Sequence, residues 1–128
     1  MKILGIGTDI VKNARFKLLI KKKNFINRTF GKKEIKLSQK LSNKSNFFSK
    51  RFAAKEAFAK SLGTGFRNNL NLKDIEILND KMGKPFYIKS KKIDKIIDKI
   101  FKTKKYNLFL SISDEKDYSV AFTIIQRR

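Results

Sequence analysis

A helix from about Asn46 to Leu62 dominates the pattern of this chain. Turned at about 100° per residue, Phe47, Phe48, Phe58, Ala59 and Leu62 gather on one face. Ser45 or Asn46 is placed to cap its start, and Gly63 to stop it. Arg51 and Lys55, four residues apart, fall within the aromatic face, where like charges repel mildly. A helix that turns two cations toward its core breaks the local rule, and such breaks tend to mark sites. Glu56 and Lys60 make a second pair at the same spacing. The plainer alternative is an ordinary surface ion pair, with lysine stems lying along apolar surface.

Alternation and turn residues place the other elements. Residues 2–11 alternate and are rich in Ile and Val, which predicts a strand. A short basic helix is expected over 13–23, a further helical turn from Phe25 to Phe30, and a helix over 32–42 broken near Ser42 and Asn43. Ile75–Leu78 and Phe86–Ile88 read as short strands around the turn Asn79–Pro85. Ile93, Ile96, Ile97 and Ile100 recur at helical spacing over 90–102, with Ser90 as N-cap. Residues 106–114 and 118–126 read as strands joined by Glu115-Lys116-Asp117. Pro85 is the only proline, and no repeat or linker interrupts the 128 residues. The expectation is one α+β domain spanning 1–128, with antiparallel strands packed on a long helix.

Composition removes several chemistries. The chain has no cysteine and no histidine, so disulfides, thiolate sites and imidazole catalysis are excluded. Any metal must be held by oxygen, which points to magnesium, manganese or calcium. No run of about twenty apolar residues is present to span a membrane. The apolar start reaches Asp9 too soon for a signal-peptide core, so a cytoplasmic location is expected. Lys and Arg number 32 against 11 Asp and Glu, a net charge of +21. One reading of that excess is a small nucleic-acid-binding domain, such as a ribosome-associated one. The other is codon bias, because Lys, Ile, Asn and Phe share A+T-rich codons, together with attraction to an acidic partner protein.

Two further features bear on chemistry. Gly63-Thr64-Gly65 follows the long helix, and glycines let a backbone approach phosphates closely. The same turn also fits a plain helix C-cap, at the end whose dipole disfavours anions. Asp9 ends an apolar strand, where a carboxylate must be solvated, paired or metal-bound, or else cap the next turn. Asp9 and Glu56 together suffice for one magnesium ion, with phosphate oxygens and water in the other positions.

These segments resemble the holo-[acyl-carrier-protein] synthase family of phosphopantetheinyl transferases. The likeness begins with Gly5-Ile6-Gly7-Thr8-Asp9-Ile10-Val11 and passes through Phe25, Arg28, Phe30 and Glu34. It is densest in Arg51-Phe52-Ala53-Ala54-Lys55-Glu56-Ala57 to Gly65. It continues through Asp74–Ile77 and Gly83-Lys84-Pro85 to Ser111–Tyr118. The resemblance implies a compact domain that assembles as a homotrimer, with active sites in the subunit clefts. It implies coenzyme A as donor, magnesium on its pyrophosphate, and the serine of apo acyl carrier protein as acceptor. Adenosine 3′,5′-bisphosphate would be the second product.

By position, the resemblance makes Asp9 and Glu56 the magnesium ligands, and Arg51 and Lys60 phosphate-binding residues. It makes Gly63, Thr64, Gly65, Lys84 and Pro85 coenzyme A contacts, with Arg15 and Arg28 on the surface that meets the acidic carrier. Asp9, Glu56 and Lys60 form the catalytic set. Glu56, directly or through a metal-held water, is the first candidate to accept the serine proton. Two positions depart from the family pattern. Phe109 stands where a histidine helps bind the nucleotide 3′-phosphate, which leaves Arg51 or a lysine to compensate. Lys12 stands where an acidic residue is usual. A relative that keeps the fold without turnover is the third reading these departures leave open.

Overall fold

The structure is a computed structural model that describes all 128 residues. Strand β1 (Lys2–Lys12) is followed by four helices: α1 (Arg15–Leu19), α2 (Lys23–Thr29), α3 (Lys32–Ser38) and α4 (Lys44–Ser61). A 3-10 turn at Leu72–Asp74 leads into the hairpin β2 (Ile77–Asn79) and β3 (Pro85–Tyr87). Then come α5 (Lys91–Phe101), β4 (Tyr106–Asp114) and β5 (Tyr118–Arg127). Strand β5 lies between β1 and β4, antiparallel to both, and β2–β3 forms a separate small sheet. The α+β expectation is met.

The long helix differs from its expected form. It has no single apolar face, because Phe47, Phe48, Ser49, Arg51, Ala53, Ala54, Lys55, Ala57, Phe58, Ala59 and Ser61 are all buried. Both sides of α4 are covered, by β1 and β5 on one and by α1 and α3 on the other. The sheet side can close only because of two glycines. A Cβ on Gly5 would stand 1.9 Å from the Ser61 carbonyl oxygen, and one on Gly7 1.9 Å from that of Ala57. Strand backbone therefore lies directly on helix backbone, an approach no other residue permits. On the opposite side Phe16, Phe25, Phe30, Phe48 and Phe52 pack in edge-to-face and tilted pairs, with Phe30 and Phe48 centroids 4.5 Å apart. Phe16, Phe30 and Phe48 are buried, and each contributes about 1.5–3 kcal/mol.

Local signals explain the boundaries. Helix α4 starts earlier than expected, since Asn43 rather than Ser45 or Asn46 is its cap and accepts from the Asn46 N–H at 3.2 Å. Gly63, at φ +77°, ends it as expected. Ser90 caps α5 by accepting from Ile93 N–H. Helix α3 is shorter than 32–42, closing at Ser38. Strand β2 begins at Ile77 rather than Ile75, because the Ile75 carbonyl is turned to accept from the Lys55 ammonium. No helix is long and apolar enough to cross a membrane.

The outer face of the three-stranded sheet has no covering element. Ile6, Ile124 and Phe109 stand in one cross-strand rank, and Thr8, Phe122 and Ser111 in the next but one. Ile6, Ile10, Phe109, Tyr118 and Phe122 are all exposed there.

Candidate active site

The alternation that seats β1 on α4 also aims Asp9. Gly5, Gly7, Asp9 and Val11 share the inward side of the strand, and Val11 is buried. Asp9, two residues past the close approach at Gly7, meets the C-terminal half of α4. There Lys60 donates from Nζ to Asp9 Oδ1 at 3.0 Å and to the Thr8 carbonyl at 3.1 Å. Lys60 thus pairs with Asp9 and not, as its spacing suggested, with Glu56.

Glu56 lies one turn before Lys60, half-buried. Its pKa is pushed up, first by burial and then by the Asp9 carboxylate, while Lys60 and Arg15 pull it down. Asp9 and Glu56 therefore share one site, bordered by Arg15 of α1. The two carboxylates stand without a third acid, since no group of three or more metal-ligating residues occurs. A pair of carboxylates whose charges oppose each other fits magnesium, which keeps several waters and takes its remaining oxygens from substrate phosphates. Beside Glu56 is a cleft of about 460 Å³ lined by Phe25, Arg28, Phe52 and Phe66 among others. Arg28, expected on the carrier surface, thus sits at the same cleft.

Arg51 serves a different place. It lies five residues before Glu56, which turns it about 140° around the helix axis. With Lys50, Asn79, Gly83, Pro85 and Asp114 it lines a groove of about 590 Å³. Its guanidinium stacks on Phe47, 3.8 Å from the ring centroid, and donates to Asn79 Oδ1 at 2.7 Å. The guanidinium Nε is buried without a hydrogen-bond partner. Pro85 joins Arg51 in this groove, and Lys84 precedes it, exposed, in the hairpin turn. Gly63, Thr64 and Gly65 line neither cavity. Both glycines have positive φ, and the Thr64 hydroxyl is buried without a partner.

Lys55 proves to be structural. It is fully buried, and Nζ stands 2.6 Å from Glu34 Oε1. Burial pulls its pKa down, and the Glu34 carboxylate opposes that pull. Glu34, also fully buried, accepts in addition from Gly31 N–H at 3.0 Å and Ile77 N–H at 3.2 Å. One carboxylate so ties the start of α3 and strand β2 to α4. Sequence reasoning gave Glu34 no such role, and missed Asn79 as well, reading it only as a turn residue. The signal for Glu34 was available: two cations on a core-facing helix need a buried anion.

Phe109 stands on the open face of the sheet, 46% exposed, beside Ile124. Lys12, at the exposed end of β1, pairs in register with Tyr118.

Two carboxylates and a lysine on one side of α4, and a groove with a guanidinium at its wall on another, make two charged sites with the chemistry to meet a cation and an anionic ligand. Comparison with known proteins narrows that class. The 4'-phosphopantetheinyl transferase superfamily model matches residues 5–123. A holo-[acyl-carrier-protein] synthase of Pelagibacter ubique is 59% identical over 128 residues, covering 100% of both chains. The crystal structure of the Neisseria meningitidis holo-[acyl-carrier-protein] synthase superposes with a TM-score of 0.88 at 35% identity, covering 98% of this chain and 100% of that one. The Bacillus anthracis synthase, crystallised in complex with CoA (3',5'-ADP), gives a TM-score of 0.81 at 32% identity over 98% of each chain. The chain belongs to the holo-[acyl-carrier-protein] synthase family of phosphopantetheinyl transferases.

Proposed function

We propose that this protein transfers the 4′-phosphopantetheine group of coenzyme A to a serine of apo acyl carrier protein, in support of fatty acid biosynthesis. The observation that carries the reading is the Asp9–Glu56 carboxylate pair with Lys60 beside it, on the elements where the family resemblance is densest. That family assignment weighs against a nucleic-acid-binding domain.

Each residue takes a role in that transfer. Asp9 and Glu56 would hold magnesium, which when bound supplies positive charge to the donor's pyrophosphate. The serine oxygen forms a bond to the phosphorus next to pantetheine, and the bond from that phosphorus to the bridging oxygen of the pyrophosphate breaks. Lys60, a compact charge fixed by Asp9 and the Thr8 carbonyl, meets the negative charge that grows on the leaving bisphosphate. Glu56, directly or through a metal-held water, is the first candidate to accept the serine proton. Positioning and charge neutralisation supply most of the rate in such transfers. Gly63, Thr64 and Gly65 contact the donor through backbone and the unpartnered Thr64 hydroxyl, and Arg51, Lys84 and Pro85 hold its nucleotide half. Arg15 and Arg28 border Glu56, so an acidic carrier docked on them delivers its serine to that residue.

The whole chain, 1–128, acts as a single transferase domain in the cytoplasm, and its working form is a homotrimer. The uncovered apolar face around Ile6, Ile10, Phe109 and Phe122 is the surface for that assembly. A site shared between subunits would also bring together Arg51 and Glu56, which point to different sides of α4. Phe109 then contributes to subunit packing rather than to phosphate binding. Mixing Glu56→Ala and Arg51→Ala subunits tests this arrangement. Neither variant alone transfers, and random reassembly restores about one site in four. A mixture as inactive as its components would contradict a site built across two chains.

A further inference from the structure

We infer that Asn79 is a positioning residue for the donor groove, acting through Arg51 and through the β2–β3 turn at once. The inference deepens the reading above, since it takes the groove to hold the nucleotide half of the donor.

The argument rests on both ends of one exposed amide. Asn79 Oδ1 accepts from an Arg51 terminal nitrogen at 2.7 Å, and Asn79 Nδ2 donates to the Gly83 carbonyl at 2.9 Å. Arg51 has few other restraints. Glu34 Oε2 lies 3.8 Å from its Nε, and that nitrogen has no hydrogen bond. Phe47 supports one face of the guanidinium but leaves it free to rotate in the ring plane. Asn79 is the contact that fixes its orientation. The other end of the amide holds the turn that carries Lys84 and Pro85. Asp80 organises the rest of that turn, accepting from Met82 N–H and Lys84 N–H at 2.9 Å each. Asn79 is thus the one side chain that joins the cationic wall of the groove to its turn wall. Both walls are preset before a ligand arrives, and preset donors lose less entropy on binding.

The probe is adenosine 3′,5′-bisphosphate, titrated calorimetrically into the full-length protein, alongside transfer kinetics. Asn79→Ala should weaken bisphosphate binding and raise KM for coenzyme A about tenfold, the scale of one hydrogen bond to a charged group. Its kcat, its KM for carrier protein and its melting temperature should stay near those of the wild type. Asn79→Asp keeps the Arg51 contact but loses the Gly83 one and sets a negative charge beside an anionic ligand, so it should not recover the affinity. In an Arg51→Ala background, Asn79→Ala should cost clearly less than it does alone. Full bisphosphate affinity in Asn79→Ala, or an undiminished further loss in the Arg51→Ala background, would overturn the inference. A wild type that binds no bisphosphate would instead overturn the reading of the groove on which it rests.

Discussion

Lys55 and Lys60 lie five residues apart on α4, and each meets a carboxylate. Lys55 and Glu34 are sealed: both are fully buried, and Glu34 accepts from Lys55 and two backbone N–H groups. Lys60 and Asp9 stay open, with side chains 55% and 16% exposed, and the nearby Glu56 is left with a raised pKa. Similar residues on one helix thus do opposite work. A fully buried pair whose carboxylate is held by three hydrogen bonds within the fold is closed to a ligand. A half-buried cluster with opposed carboxylates has capacity for a cation and for a proton.

The contrast can be broken by exchanging effects between the two clusters. Glu56→Ala should lower transfer about a thousandfold or more while the melting temperature and assembly stay near those of the wild type. Lys55→Ala should do the reverse in kind, costing about 3–5 kcal/mol of stability by leaving Glu34 buried with only the Arg51 guanidinium at 3.8 Å to oppose its charge. Thermal denaturation beside a transfer assay reads both. If Lys55→Ala melts normally but loses activity, the division between sealed and open clusters fails. Replacing both partners, Lys55→Met with Glu34→Leu, should recover only part of the lost stability, because the Gly31 and Ile77 N–H groups then lose their acceptor.

Smaller effects sharpen the comparison. Because the folded Glu56 pKa is raised, its contribution to stability is fully present below the ordinary glutamate range. That contribution is lost as pH rises through the folded value. Metal-free Glu56→Gln should therefore melt at or slightly above the wild-type temperature near neutral pH, with the difference vanishing in acid. A variant less stable than wild type at neutral pH would place Glu56 among the structural charges. Salt should act on the open surface alone. Raising ionic strength should slow transfer a few-fold through weaker carrier encounter, leaving the Lys55–Glu34 pair untouched. A rate flat in salt would remove the steering role of the +21 charge.

Much of this architecture is legible in the amino-acid sequence. The helical periods, Gly63 and Ser90 as punctuation, and the β4–β5 hairpin follow from local rules that tertiary contacts do not override. Asp9 stands out as a carboxylate within an apolar strand, and Glu56 and Lys60 as an i,i+4 pair on α4. The pairing of Lys60 with Asp9 does not, because i,i+4 spacing on a helix cannot foresee a strand arriving alongside. The hint is the Gly5–Gly7–Asp9 alternation, since two glycines on one side of a strand announce a close neighbour and aim the third residue at it. The Glu34–Lys55 pair and the Asn79 bridge join residues more than twenty positions apart, which no local pattern encodes. The uneven boundary of β2 has the same origin, in a carbonyl diverted to Lys55.

The central claim is the transfer itself, with Asp9 and Glu56 as its metal-holding pair. Its most direct test is the intact mass of apo acyl carrier protein after incubation with this protein, coenzyme A and magnesium, with and without a chelator. The account predicts a gain of one phosphopantetheine that disappears with the chelator and with Glu56→Ala. An unchanged carrier mass, from a folded protein that binds coenzyme A and with a carrier that a related synthase modifies, would contradict it.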